Sequence, residues 1–441
     1  MDKKDEAIYK TLYDAYVYAV PLVLFDLTEK FFTNTVEVTR EKAPVNRLHH
    51  ARALSSPKTL DLLFPNVDTL YSQVYYDLSN GPFLFEKPET GRYCSMQLMD
   101  AYIHTAAILG TGGADDGRAA TYAFLPPGYQ GSLPAGVSGI PVPTNKMWML
   151  IRTLVENEDD LKNVYEIQDR MRTYPLSCPN GETWDPPRGC CSREYEYVPI
   201  EKLRAMDVET FFNRFNVLSA ENPGHPDDAP ALERFKALGV GAGLTFCPAD
   251  FSDAVRARLA ALPAQAERDV LEKNKVYELV HGWIYMNPEI GLYGTDYVLR
   301  AAVAYGGTAN PMSMAAYITA VSDRDNEPLS GKNEYVMHFE AGQAPPSGEN
   351  AFWSVTAYSR GYLIENPLNK YTVNNRSALT WAPDGSLDIF IGRERRPDVP
   401  EGNFLPVDEN EFMMTMRIYR PRPSLFDKTW KPPYVEKILS K

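Results

Sequence analysis

The C-terminal third constrains the fold most. Phe352-Trp353-Ser354-Val355-Thr356-Ala357-Tyr358 is followed by Asn366-Pro367, Asp384-Gly385-Ser386, Asn403-Phe404-Leu405-Pro406 and Met416-Arg417-Ile418-Tyr419-Arg420-Pro421. Short apolar runs closed by Asn, Gly, Asp and Pro signal strands and turns. Alternation strengthens that reading. Tyr335, Met337 and Phe339 interleave with Val336, His338 and Glu340, and Phe412, Met414, Met416 and Ile418 with Met413, Thr415, Arg417 and Tyr419. A period of two places one set on a core face and the other on the opposite face. The segment therefore reads as an all-β unit.

The N-terminal half has a different order. Ile8 to Lys30 reads as a helix with Tyr9, Leu12, Tyr13, Tyr16, Val17 and Val20 on one face, and Pro21 is expected to kink or break it. Strand-like runs follow at Leu70–Leu78, Phe83–Lys87, Arg92–Met99, Ile103–Leu109 and Thr121–Leu125. A long loop is expected over Pro126–Pro143, then a strand at Met147–Leu154. Helical patterns occupy Asn157–Met171, the stretch after a capping Asp207, Ala229–Leu238 and Ser252–Val280, where Pro263 interrupts. Further helices are expected after Asp296 and over Met312–Ala320.

At 441 residues the chain is too long for one small core. The expected fold is mainly β with helices (α+β): two jelly-roll-like antiparallel β-sandwich domains joined by a helical segment. The expected division is an N-terminal helix (1–40), an N-terminal sandwich (41–156), a helical connection (157–320) and a C-terminal sandwich (321–441). The 27 tyrosines suit such sandwiches, where rings pack and hydroxyls reach polar partners.

A formal net charge of -13, without a basic stripe, argues against nucleic-acid and anionic-membrane partners. The run Ala15–Phe25 is shorter than the roughly 20 residues a bilayer span requires. With no signal-peptide pattern, a cytoplasmic location is expected, although a processed exported form would look the same. The 5 cysteines are odd in number, and Cys178, Cys190 and Cys191 share one Pro/Gly-rich loop. Their spacing suits free thiols or one surface disulfide better than a metal site.

Several segments resemble a known pair of domains. Asn46-Arg47-Leu48-His49-His50-Ala51-Arg52, Pro65-Asn66-Val67-Asp68-Thr69-Leu70-Tyr71-Ser72, Asp77-Leu78-Ser79, Gly91-Arg92-Tyr93 and Gln97-Leu98-Met99-Asp100 resemble domain-of-unknown-function family 1254. Leu329-Ser330-Gly331, Tyr335 and the C-terminal series resemble family 1214. The resemblance implies two jelly-roll-like sandwiches joined by helices. It carries no settled activity.

The densest polar constellation lies in the N-terminal β region. Asp68, His50, Arg92, Tyr71, Asp100 and His104 are the candidate catalytic groups, with Asn46, Asn66 and Gln97 as binding groups. Asp68 or Asp100 would serve as base, His50 or His104 as acid, and Arg92 with Tyr71 would stabilise developing negative charge. The bland alternative is turn-forming Asn and Asp side chains and a simple Arg–Asp pair. A metal reading would use His49, His50, Asp68 and His104, but tight ligand spacing is absent. No cofactor is expected, and a divalent metal is not favoured. In the C-terminal unit Trp353 and Arg417, with neighbouring aromatics and amides, would suit a sugar-binding face; the favoured reading is a sandwich core, because burial alone produces an aromatic stripe at strand period.

No dinucleotide fingerprint, phosphate loop or nucleophile elbow is present. The expected function is a small-molecule-processing enzyme using cofactor-independent acid–base chemistry: hydrolysis, elimination or isomerisation of a polar oxygenated compound. The alternative is a non-catalytic carbohydrate-binding or assembly module. The expected partner is a small molecule or saccharide, with homo-oligomerisation left open. The most useful single observation is whether Asn66, Asp68, Arg92 and Asp100 converge on a water-accessible cavity.

Overall fold

The computed structural model describes residues 2–59, 63–178, 184–275 and 277–438. A first helix, Lys3–Phe32, starts at Asp2, whose carboxylate accepts the Asp5 N–H at 2.8 Å. Contrary to expectation, Pro21 does not end it. The reason is tertiary. Tyr16, Val20, Val23 and Leu27 share one buried cluster with Phe211, Phe215, Phe235 and Leu299. Burying a large apolar side chain gains roughly 1.5–3 kcal/mol, so a few such contacts offset the roughly 3 kcal/mol cost of an internal proline.

The N-terminal sandwich has two sheets. The first runs His49–His50, Thr69–Asp77, Lys146–Leu154, Cys94–Asp100 and Thr105–Gly110 in spatial order. The second runs Val137–Pro141, Ala120–Leu125, Phe83–Lys87 and Arg172–Pro175. Val74, Tyr76, Met96, Leu98, Met149 and Ile151 of the first meet Phe83, Phe85, Tyr122 and Phe124 of the second. Two expectations change here. The stretch Pro126–Pro143 contains the strand Val137–Pro141, paired parallel to Ala120–Leu125. Arg172–Pro175 also belongs to this sandwich, which therefore extends beyond residue 156.

The C-terminal sandwich joins a sheet ordered Glu278–Val280, Trp283–Tyr285, Ala315–Ala320, Met413–Tyr419, Trp353–Ser359 and Tyr362–Leu363 to one ordered Phe404–Pro406, Leu387–Gly392, Tyr335–Phe339 and Val435–Lys437. Thr372–Asn374 also pairs with Trp353–Ser359. The sheets are antiparallel apart from Leu387–Gly392 against Phe404–Pro406 and the pair noted above. Ala315–Ala320 is a strand where a helix was expected. Its alanines favour helix locally, but Ala316, Ile318 and Ala320 alternate into the core beside Met414, Met416 and Ile418. Strands before residue 321 thus belong to this sandwich.

Between the sandwiches lie short helices, including Val208–Glu221, Ala229–Lys236 and Tyr297–Tyr305. Asp207 caps the first by accepting the Thr210 N–H at 2.8 Å. The expected helix over 252–280 is two helices, Asp253–Leu259 and Leu262–Lys273, with Pro263 in the opening turn of the second. Cys190 and Cys191 are exposed free thiols, and residues 179–183 of their loop lie outside the described residues. Among the described residues no helix is long and apolar enough to cross a membrane.

The alternation that fills the cores also builds two polar faces. On the first sheet, Tyr71, Arg152 and Ser95 form one cross-strand row, and Gln73, Leu150 and Gln97 the next. On the C-terminal sheet the matching row is Tyr317, Arg417, Ser354 and Asn374. These faces meet at the seam between the sandwiches, where Tyr93 packs edge-on to Tyr419, with ring centroids 5.0 Å apart.

Candidate functional site

The expected site residues do not converge on one N-terminal pocket. Arg92 pairs with Asp160 and donates to the Leu154 carbonyl at 3.2 Å. His50 holds Ser72 Oγ at 2.7 Å, and burial with the nearby Arg52 charge pushes it down to about 4. Asn46 binds the Asp77 backbone through both ends of its amide, at 2.8 and 3.1 Å. Gln97 donates to Thr105 Oγ1 and to the Ala309 carbonyl, each at 3.0 Å. Trp353 lies in the C-terminal core and offers no stacking face. His49 is hydrogen-bonded to the Arg40 carbonyl, so the groups weighed for a metal have separate partners. A hollow of about 200 Å³ beside Asn46, Arg47, Met171, Arg172 and Trp184 is lined by neither carboxylate nor histidine.

Asp68 is not placed as an accessible base. Its carboxylate accepts Ser354 Oγ at 2.6 Å and Arg376 Nη2 at 2.7 Å, both from the C-terminal sandwich. Asn66 donates to Tyr419 Oη at 2.7 Å, and Arg417 donates to the Phe64 carbonyl at 2.8 Å. These groups fasten the loop before Thr69–Asp77 to the opposite sheet. Tyr71 lies at the edge of the same seam, its ring 5.4 Å from the Arg152 guanidinium.

Asp100 and His104 belong to a second polar cluster. Asp100 ends the strand Cys94–Asp100, and His104 immediately precedes its hairpin partner Thr105–Gly110. Asp100 Oδ1 accepts the N–H groups of Tyr102 and His104 at 2.8 and 3.0 Å. Ile103 between them has φ +61°, the left-handed region that a β-branched residue enters only under strain. That turn aims His104 at the helix Tyr297–Tyr305, where Arg300 Nη1 lies 2.9 Å from His104 Nε2. Because guanidinium can only donate, Nε2 accepts and the ring proton is assigned to Nδ1. Burial, reinforced by the Arg300 charge, pushes His104 down to about 3, so the imidazole is neutral at pH 7. Burial raises Asp100 to about 6, while Arg300 and the backbone N–H groups pull the other way.

Arg300 is fully buried. Its guanidinium lies 4.8, 5.3 and 5.0 Å from the ring centroids of Tyr18, Tyr102 and Tyr297. Asp228 stands 3.8 Å away and accepts the hydroxyls of Tyr18 and Tyr297, each at 2.9 Å. Arg300 Nε and Nη2 have no hydrogen-bond partner. The loop carrying Asp228 also brings His225, half-exposed, to 6.3 Å from the His104 ring. Gly224 permits this approach, since a Cβ there would stand 2.4 Å from Tyr18 Oη. The cluster combines a carboxyl titrating near neutrality, a neutral imidazole and two free guanidinium donors.

Sequence reasoning did not pick out Arg300, Asp228, Tyr18 or Arg152. One signal was available: Arg300 shares its helical side with Tyr297, Ala301 and Ala304, and Arg152 interrupts the apolar run Met147–Leu154. A charge inside an apolar pattern is a buried group that needs a partner.

Comparison with known proteins matches this two-part build. A model described as a protein of unknown function (DUF1254) matches residues 45–175, and one described as a protein of unknown function (DUF1214) matches residues 314–423. The chain belongs to this two-domain family. The crystal structure of the VPA0106 protein from Vibrio parahaemolyticus is 22% identical, with a TM-score of 0.73 over 98% of this chain and 100% of that chain. That similarity shows a shared fold. A crystal structure of an uncharacterised protein from Burkholderia cenocepacia is 9% identical, covering 99% of this chain and 96% of that chain with a TM-score of 0.44. No curated protein matches the chain.

Proposed function

We propose that the chain processes a small polar, oxygenated molecule by cofactor-independent acid–base chemistry at the cluster of Asp100, His104 and Arg300. The single observation that carries this reading is Arg300: a buried guanidinium with two unpartnered N–H donors, whose charge reaches both His104 at 2.9 Å and the Asp100 carboxyl, which burial raises to about 6. Such donors stabilise negative charge developing on a substrate oxygen, and a carboxyl titrating near the working pH exchanges a proton with the adjacent carbon or oxygen. His104, neutral and holding its proton on Nδ1, positions the guanidinium. This donor set suits elimination or isomerisation next to a carbonyl.

A panel of small hydroxy, oxo and lactone compounds, followed by proton NMR, tests the reading. At least one compound is converted by the wild type, with a loss of roughly 10²-fold or more in Asp100→Asn, the scale of general acid–base catalysis. Conversion that continues undiminished in Asp100→Asn would place the reaction elsewhere.

A further inference from the structure

We propose that Arg152 and Arg417 form a receptor for an organic carboxylate at the seam between the two sandwiches. The observation is a charge imbalance in a buried place. Arg152 and Arg417 are each 3% exposed. Among the described residues, no carboxylate lies within 4 Å of either guanidinium. The nearest candidate, Asp68, is engaged by Arg376 at 2.7 Å and by Ser354. Arg152 uses Nη1 on Asn310 Oδ1 at 2.8 Å, and Arg417 uses Nη2 on the Phe64 carbonyl at 2.8 Å. Arg152 Nε and Arg417 Nη1 have no hydrogen-bond partner.

Burying a guanidinium without a counter-ion is costly, and buried charges are ordinarily paired. An anion between the two sheets satisfies both groups at once. The strand registers prepare the place: Arg152 sits opposite Tyr71 on one sheet and Arg417 opposite Tyr317 on the other. Asn310 links the two sides, accepting from Arg152 and donating to Tyr317 Oη at 3.0 Å. Tyr71 and Tyr317 are only half-buried, so the seam meets solvent there.

The surroundings select the ligand class. Tyr93, Phe352 and Tyr419 form an aromatic wall, with Phe352 stacked on Tyr419 at 4.0 Å between centroids. Planar guanidinium groups match a carboxylate, and aromatic walls match a carbon skeleton rather than a hydrated inorganic ion. This site is separate from the acid–base cluster. Ser95, the cross-strand neighbour of Arg152, precedes Asp100 by five positions, or about 17 Å of extended strand. The proposal does not depend on the function assigned to Asp100.

The test is thermal shift on the full chain with millimolar acetate, benzoate or malonate, against phosphate and chloride at equal ionic strength. At least one carboxylate raises the wild-type Tm, while phosphate and chloride do not. Arg152→Met and Arg417→Met abolish that shift, and each lowers the Tm without added acid by losing its bond to Asn310 or to the Phe64 carbonyl. Asp100→Asn keeps the shift, which separates this site from the acid–base cluster. The more conservative Arg152→Lys and Arg417→Lys guard against misfolding of the Met variants; calorimetry should show about tenfold or greater weakening of carboxylate binding. The proposal is overturned if no carboxylate stabilises the wild type, if phosphate stabilises it equally, or if binding survives undiminished in the Lys variants.

Discussion

Two residues four positions apart, Asp100 and His104, respond to burial in opposite directions. Asp100 is raised to about 6 in the folded chain, so the folded state holds its proton more tightly than the unfolded state. Its contribution favours folding at low pH and is lost as pH rises from about 4 to about 6. His104 is lowered to about 3, so the unfolded state takes up the proton first. Its contribution is fully present above about 6.5 and is lost as pH falls toward about 3. The two oppose each other between about pH 4 and 6. Asp100→Asn removes one of them. Denaturant melts at about pH 4 and 7 should show the variant gaining on the wild type by on the order of 2–3 kcal/mol at the higher pH. An unchanged difference between the two proteins would mean that Asp100 titrates normally. Neither shift was legible from sequence, because burial arises from packing between distant segments.

At the scale of elements, local chemistry and tertiary contact each decided some outcomes. Asp207 was readable as a cap, and its side chain binds both the N–H and the hydroxyl of Thr210. Asp207→Ala should therefore cost about 1 kcal/mol in denaturant unfolding, while Asp207→Asn should cost less. Ala315–Ala320 went the other way. Its composition favours helix, yet both neighbouring registers and the core require a strand. Pro21 similarly sits in a helix whose buried face outweighs its local preference. The polar rows were visible as alternation. What they faced was not.

At the scale of the whole molecule, Asp68 links the sandwiches. Its two carboxylate oxygens engage Ser354, Arg376 and Asn374, all far away in sequence. Asp68→Asn should therefore lower stability by roughly 3–5 kcal/mol, the usual cost of breaking a buried ion pair by removing one partner. The seam should open first, seen as earlier proteolysis between the sandwiches and a broadened or split thermal transition. Tyr358→Phe removes the hydroxyl, and with it the 2.8 Å bond to the Pro65 carbonyl across the same seam. Its cost should be about 1 kcal/mol, within the usual range for one hydrogen bond. Equal losses in the two variants would show that Asp68 contributes no more than a neutral contact.

The sequence alone determined the two β units, the intervening helices, the family and the presence of Asp68, Tyr71, Asp100, His104 and Arg417 among the chemically interesting groups. Periodicity and turn chemistry are local, so they survive without coordinates. Only the tertiary structure divided those groups between a domain seam and the His104–Arg300 cluster, and only it supplied Arg152, Asp228 and Arg300 as their neighbours. Partnership and burial depend on which distant faces meet, and no short stretch of chain encodes that meeting by itself.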